Sequence, residues 1–410
     1  MIALPDSPRS LRVVLVEFTP SGGLFQFAVQ LGEALARRGH RVDLLTGPRP
    51  ELSTRVENFS IRPVLPTWHP MEGSTGPALV RTTRRVLRLG QYAAAYAVVR
   101  REVRQARPDV VQWSNWRFPL DGPLVEWVGS AAPAVMVDLA HTPKPFNERR
   151  RNGQVFKQAG RLRRLQERAY RRMDSVLVLG ERSRADLLET WPSVRRVDVV
   201  PHGDEGVFRR DVDVSAPGGS PETVLFFGNL ATYKGLDVLL EAFALVRTAL
   251  PSARLVVAGA AVADVDVDVL RARADEIGGV DLRVGYVPLE AVAPLFIAAR
   301  VVAAPYRYAN GSGVVSLAHT FGRPVVASDV GDMRSAVRHG DTGLLVPPEQ
   351  PEPLAEALLQ LLRDPDLADR LGAAASSRLE AEGSWAEVAE QVEAVYVSCL
   401  ARTGRGSLSR

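Results

Sequence analysis

The sequence predicts an α/β protein built of two doubly wound, parallel-sheet domains facing a cleft. Three observations predict it. Short apolar runs alternate with helical stretches along most of the chain, the order that produces parallel sheets covered by helices. The alternation falls into two series separated by residues 201–222, which are rich in Gly, Pro, Asp and Ser and carry little periodicity. Charge divides at the same place. Residues 1–200 hold 32 Lys and Arg against 19 Asp and Glu, residues 201–410 hold 19 against 28, and the whole chain is only +4. A length of 410 residues agrees with two or three domains.

Taken in order, the apolar run 13–16 is followed by Ser21-Gly22-Gly23. Leu24, Phe27, Ala28, Leu31 and Leu35 then recur at the helical period, and Gly39 stops that helix before a strand at 41–46. Further strands are expected around 110–111, at 134–139 and at 175–179, with helices at 81–107 and 154–173. The second series places strands at 223–227, 254–258, 281–284, 301–304 and 324–328, and helices at 236–250, 313–321 and 351–362. A last helix at 385–400 is apolar on one face through Val388, Val392, Val395 and Tyr396. The expected division is a first domain over 1–205, a linker over 206–222, a second domain over 223–384 and a closing segment over 385–410.

Composition excludes several classes. At 46% hydrophobic and 24% charged residues, the chain is ordinary globular protein. The best candidate for a membrane span, residues 86–99, is interrupted by Arg88, Gly90 and Gln91. Residues 1–10 hold two prolines and no apolar core, so they do not read as a secretory signal. Cys399 is the single cysteine, which excludes an internal disulfide or a cysteine-built metal site and suits a reducing cytoplasm. His69, His319 and His339 show no metal-ligand spacing, so no metal is expected. Only Lys144, Lys157 and Lys234 are lysines, which makes each worth placing.

Three strand-to-helix turns carry candidate chemistry. Gly22-Gly23 lets backbone N–H groups approach a ligand at a helix start, and reads equally as a plain tight turn. Phe226-Phe227-Gly228-Asn229 leads to Tyr233-Lys234-Gly235, where a lysine can reach a diphosphate or simply face water. The turn at 305–314 ends in Ser312-Gly313-Val314 and opens a helix. Its free N–H groups bind phosphate oxygens or are capped in the ordinary way.

Together these segments resemble family 4 of the nucleotide-sugar glycosyltransferases, over about residues 11–400. The second half carries the most specific part. It comprises Leu225-Phe226-Phe227-Gly228-Asn229 with Tyr233-Lys234-Gly235-Leu236-Asp237, then Ser312-Gly313-Val314 with Leu317-Ala318 and Gly322-Arg323-Pro324-Val325-Val326-Ala327, and Asp341-Thr342-Gly343-Leu344-Leu345-Val346. In the first half Gly22-Gly23 with Gly39-His40-Arg41-Val42 matches the opening, and Pro201-His202-Gly203 matches the domain junction.

The resemblance implies the two-domain GT-B architecture and a retaining, metal-independent transfer from a nucleoside diphosphate-sugar, with no tightly bound cofactor. It implies that Gly22 and Gly23 offer backbone to the donor diphosphate and that Lys234 neutralises it, with Asn229, Ser312, Gly313 and Val314 beside it. His141 would face the transferred sugar, Tyr286 and Val287 would flank the base, Asn310 would stand at the donor sugar, and the last helix would brace the first domain. The sequence departs from the family at two glutamates, replaced by Asn310 and Ala318, at an arginine replaced by Asn229, and in the turn Gly331-Asp332-Met333-Arg334-Ser335.

The expected acceptor is a glycan, a lipid-linked sugar or a small molecule, met by the basic first half. Trp113 and Trp116 are candidates to stack on it, with core burial as the alternative. The basic stretches 81–107 and 149–172 suit an anionic membrane surface or a phosphate-bearing acceptor, or are simply a solvated face. Residues 154–173 carry an apolar stripe of Val155, Ala159, Leu162, Ala169 and Met173. Nucleic acid is not expected, for want of a recognition motif, and His40 reads as a turn residue. The expected setting is cytoplasmic, with a peripheral place at the inner membrane face left open. Two other readings stay open: a non-catalytic homologue that binds a nucleotide-sugar or a partner, and a nucleotide-sugar epimerase.

Overall fold

The computed structural model describes residues 10–68, 78–114, 116, 120–141, 150–151, 154–155, 160–210, 222–262, 264–309 and 311–404. The chain divides into two compact units. The first is the chain up to Val200 together with the chain from Trp385, and the second is Pro201–Ser384.

The first unit contains β1 (Arg12–Val16), α1 (Gly23–Arg37), β2 (Arg41–Leu45), β3 (Phe59–Arg62), α2 (Ala78–Ala106), β4 (Val110–Trp113), α3 (Asp121–Gly129), β5 (Val135–Leu139), β6 (Arg150–Arg151), β7 (Gln154–Val155), α4 (Gly160–Arg172), β8 (Ser175–Val178), α5 (Glu181–Thr190) and β9 (Val197–Val199). Seven strands pair in the order β3-β2-β1-β4-β5-β8-β9, all parallel. Leu15 lies opposite both Leu44 and Gln112, at the centre of the sheet. The central strands β1, β4, β5 and β8 are mostly buried apolar residues because helices cover both faces of such a sheet. Strand order reverses between β1 and β4, the place where doubly wound sheets bind ligands.

The second unit contains β10 (Thr223–Phe227), α6 (Leu236–Ala249), β11 (Arg254–Gly259), α7 (Val267–Ile277), β12 (Val280–Val284), α8 (Leu289–Ala298), β13 (Val301–Ala304), α9 (Gly313–Thr320), β14 (Val325–Ser328), α10 (Met333–Ala336), β15 (Gly343–Val346), α11 (Pro351–Arg363) and α12 (Pro365–Glu382). Its six strands run β12-β11-β10-β13-β14-β15, again all parallel, with the reversal between β10 and β13.

The last helix, α13 (Trp385–Thr403), belongs to the first unit. It buries Val388, Ala389, Val392, Val395 and Tyr396. Tyr396 Oη donates to Gln112 Oε1 on β4 at 2.5 Å, and Glu393 accepts from Arg38 Nε at 2.5 Å. The helix covers α1, whose residues from Phe25 to Ala36 are all buried.

Several expectations are corrected. Strands β3 and β9 were not foreseen: both are short edges, and Phe-Ser-Ile-Arg and Val-Asp-Val give little apolar signal. The basic helix starts at Gly160 instead of 154, because residues 154–155 pair antiparallel with 150–151. Its supposed stripe is broken, since Leu162 is exposed and Val155 is in β7, while Ala159 lies outside the described residues. The early part of the expected linker is packed: residues 206–209 form a 3-10 turn that buries Val207 and Phe208, and residues 211–221 lie outside the described residues. His40 is a core residue instead of a turn residue. It is 1% exposed, accepts from Leu11 N–H at Nδ1 (3.2 Å), and holds Nε2 3.4 Å from Glu393.

Candidate functional site

In the second unit the candidate groups gather at the carboxyl ends of β10 and β13. Past Phe227 the chain turns at Gly228, with φ of 101°, where its N–H donates to Ala258 O at 3.0 Å. Residues 232–234 then form one 3-10 turn closed by Gly235 at φ 66°, directly before α6. Only glycine fits there: a Cβ on Gly235 would lie 2.1 Å from Pro305 O.

This turn folds Lys234 back over the strand end. A Cβ built on Gly228 would lie 2.7 Å from Lys234 Nζ and 3.6 Å from Val314 Cγ2. Gly228 is therefore the point at which the ammonium and the first turn of α9 converge.

Lys234 is 8% exposed, and its Nζ lies 5.1 Å from the centroid of the Tyr306 ring. Burial draws its pKa down, but the Tyr306 and Tyr233 hydroxyls beside it outweigh that and the net direction is up, so the ammonium keeps its charge. Arg307 locks the turn. It donates to both Asp237 oxygens (2.8 and 2.7 Å), to Glu349 (2.9 Å) and to Thr232 O (2.7 Å), and its own N–H donates to Tyr233 O.

Helix α9 begins after Ser312, with no side-chain cap and no acidic residue in its first turn. Its leading N–H groups and dipole form a partial positive charge beside the Lys234 ammonium. Backbone amides and one buried cation are together a combination suited to an anion.

The other sequence candidates fall as follows. Asn229 is exposed at the turn, next to Gly228. Tyr286 and Val287 are half-buried just past β12, two strands from β10, and Gly285 N–H donates to Gly259 O at 2.9 Å. Asn310 lies outside the described residues.

In the first unit, Gly22 has φ 83° and opens α1, and a Cβ on either Gly22 or Gly23 would meet nothing within 4 Å. The His141 ring packs edge-on against Phe27 at 5.4 Å between centroids, and Phe27 packs edge-on against Trp385 at 5.0 Å. Phe27 stands one helical turn after Gly23, on the same face of α1.

Trp113 and Trp116 are corrected. Both are buried, Trp113 stacked on Tyr96 and Trp116 on Tyr170 at 5.4 Å, and burial withdraws them from acceptor stacking. Many of the basic side chains are satisfied locally. Arg168 pairs with Glu126, Arg171 with Glu167, Arg172 donates to Gly129 O and Arg163 to Thr190 O.

Two residues were missed. Glu205 and His202 lie beside Gly313 at the start of α9, and the only sequence hint was the junction motif Pro201-His202-Gly203.

Comparison with known proteins agrees with this architecture. Residues 21–203 match the profile described as Glycosyltransferase Family 4, and residues 221–364 match Glycosyl transferases group 1. The D-inositol 3-phosphate glycosyltransferase of Mycobacterium avium is 29% identical over 95% of this chain and 94% of its own length. That of Corynebacterium aurimucosum is 36% identical over 44% of each chain. Among solved structures, sucrose-phosphate synthase from Thermosynechococcus elongatus superposes with a TM-score of 0.70 at 21% identity, over 96% of this chain and all of the other. HepE of Anabaena, solved with UDP and glucose, gives 0.67 at 15% identity over 95% of this chain and all of the other. The chain thus has the two-domain GT-B fold, each unit a doubly wound parallel sheet. The chain belongs to family 4 of the glycosyltransferases. Among the described residues, no helix is long and apolar enough to cross a membrane.

Proposed function

We propose that this enzyme is a retaining glycosyltransferase that moves a sugar from a nucleoside diphosphate-sugar to an acceptor hydroxyl, with the donor diphosphate held by the second unit. The observation that carries this reading is the convergence of Lys234 and the first turn of α9 at Gly228. The bond from the anomeric carbon to the β-phosphate oxygen breaks while the acceptor oxygen bonds to that carbon on the same face. The acceptor proton passes to the departing phosphate oxygen. The chemical demand is charge on the leaving group, which a buried ammonium and preorganised amides answer without a metal ion.

The reading also gives Gly22, Gly23 and His141 of the first unit to the donor, together with Asn229, Tyr286, Val287, Ser312, Gly313, Val314 and Asn310 of the second. The names of the mycobacterial and corynebacterial relatives make D-inositol 3-phosphate the first acceptor to try, ahead of glycan and lipid-linked acceptors. The UDP and glucose in the HepE structure make UDP-glucose the first donor. Release of nucleoside diphosphate from UDP-, GDP-, ADP- and TDP-sugars tests the reading. Lys234→Ala should slow turnover roughly 100-fold while leaving the circular dichroism spectrum intact. Unchanged turnover in that variant overturns the role of Lys234.

A further inference from the structure

An anion is already seated at the start of α1, and it belongs to the protein. The helix has no acidic residue in its own first turn. The negative charge comes from Glu51, in the segment after β2. Its Oε2 accepts from Gly22 N–H at 3.0 Å and its Oε1 from Gln26 Nε2 at 2.6 Å. The leading N–H groups and the dipole of the helix favour a carboxylate at this place.

The segment that carries Glu51 is tied to the turn before α1. Thr46 Oγ1 donates to Thr19 O at 3.1 Å, and Glu51 N–H donates to Pro20 O at 2.9 Å. The carboxylate is therefore delivered by the fold at a high local concentration. The hold has a cost. Arg49, two residues earlier, stands at φ 57°, a left-handed state that a residue with a side chain enters only under strain.

The seat is only partly filled. Among the described residues, the N–H groups of Gly23, Leu24 and Phe25 have no hydrogen-bond partner. A Cβ on Gly22 or Gly23 would meet nothing within 4 Å. Donors and space for a larger anion thus remain, beside a charge that repels it. Gly22 N–H is a single donor, so Glu51 and a phosphate oxygen compete for it. A diphosphate carries more charge than one carboxylate and can engage several of these amides, so it prevails when present.

We propose that Glu51 is a built-in competitor for the donor: its carboxylate holds the start of α1 in the empty enzyme, and the donor diphosphate displaces it. This rests on the reading that gives Gly22 and Gly23 to the donor diphosphate. The enzyme's affinity for nucleoside diphosphate is then held down by its own side chain, and the carboxylate's return after transfer helps expel the spent diphosphate.

The test titrates UDP, GDP, ADP and TDP calorimetrically into wild type, Glu51→Ala, Glu51→Gln and Lys234→Ala. The expected result is a diphosphate Kd about 10-fold lower in Glu51→Ala, the scale of one hydrogen bond to a charged group. Glu51→Gln, which loses the charge but still offers an oxygen to Gly22 N–H, should gain less. Both variants should melt at a lower temperature than wild type, because α1 loses its carboxylate. Lower stability combined with tighter binding is the signature of a competitor. Gln26→Ala, which frees one carboxylate oxygen, should tighten binding slightly, and that gain should vanish in the Glu51→Ala background. Lower stability with unchanged or weaker binding overturns the proposal and makes Glu51 a plain helix cap. If Lys234→Ala weakens binding while both Glu51 variants match wild type, the donor site stands and the competitor falls. Failure of wild type to bind any of the four diphosphates refutes the donor site itself, and the proposal with it.

Discussion

Asp138 offers the sharpest quantitative test of the first unit. It is the fourth residue of β5 and completely buried. Its Oδ1 accepts a hydrogen bond from Trp116 Nε1, and among the described residues its Oδ2 has no partner. Burial raises its pKa from an ordinary 3.8 to about 8, with the Trp116 bond opposing and Asp121 adding to the rise. In the folded protein this carboxyl keeps its proton, while in the unfolded chain it loses it near pH 4. Stability from this group is therefore full below about pH 4, falls as pH rises towards 8, and levels off above. At about 1.4 kcal/mol per pH unit, the loss by pH 7 is on the order of 4 kcal/mol.

Asp138→Asn removes the titration and keeps an oxygen for the indole N–H. The two proteins should match near pH 4, and the variant should become more stable by several kcal/mol at pH 7–8. Urea unfolding of the full chain at pH 4, 5, 6, 7 and 8, followed by tryptophan fluorescence, measures the difference, in which all other titrating groups cancel. A gap that stays constant or narrows with rising pH would refute the reasoning and mean that Asp138 is ionised in the fold.

Two further substitutions probe the scaffold. Gly235→Ala forces a Cβ to within 2.1 Å of Pro305 O at a left-handed position, so it should cost at least ~2 kcal/mol in urea unfolding and weaken nucleotide binding, because the Lys234 turn must move. Tyr396→Phe removes a buried 2.5 Å bond between α13 and β4 and should destabilise the first unit by about 1–2 kcal/mol without changing the Kd for nucleoside diphosphate.

How much could be read in advance depended on whether the signal was local. Strands such as β1, β5 and β10 are short segments dominated by buried apolar residues, and the chain order alone places them. Lys234 stood out because it is the sole lysine of an acidic half and lies between a strand and a helix. Trp113 and Trp116 were ambiguous because a strand-end aromatic turns to the core or away from it according to helices far along the chain. Here Tyr96 and Tyr170 settled it. Glu205 and His202 gave almost no signal. They lie in a stretch that reads as linker, and their neighbour Gly313 is more than a hundred residues away. His40 deceived for the same reason: its partner Glu393 is on α13 at the far end of the sequence.

That distant helix bears on how the enzyme is made. The first unit needs α13 to cover α1, and the Tyr396–Gln112 bond spans 284 positions of sequence. A ribosome that has finished Val200 must still produce all of Pro201–Ser384 before the covering helix exists, a delay on the order of 10–40 s at ordinary elongation rates. The second unit is contiguous in sequence, so its whole core has been synthesised by the end of that interval. Synthesis therefore supplies all of the second unit first and leaves the amino-terminal sheet waiting, with α1 not yet covered, until α13 emerges. Trimming the carboxyl terminus into α13 should accordingly harm the beginning of the protein more than its middle.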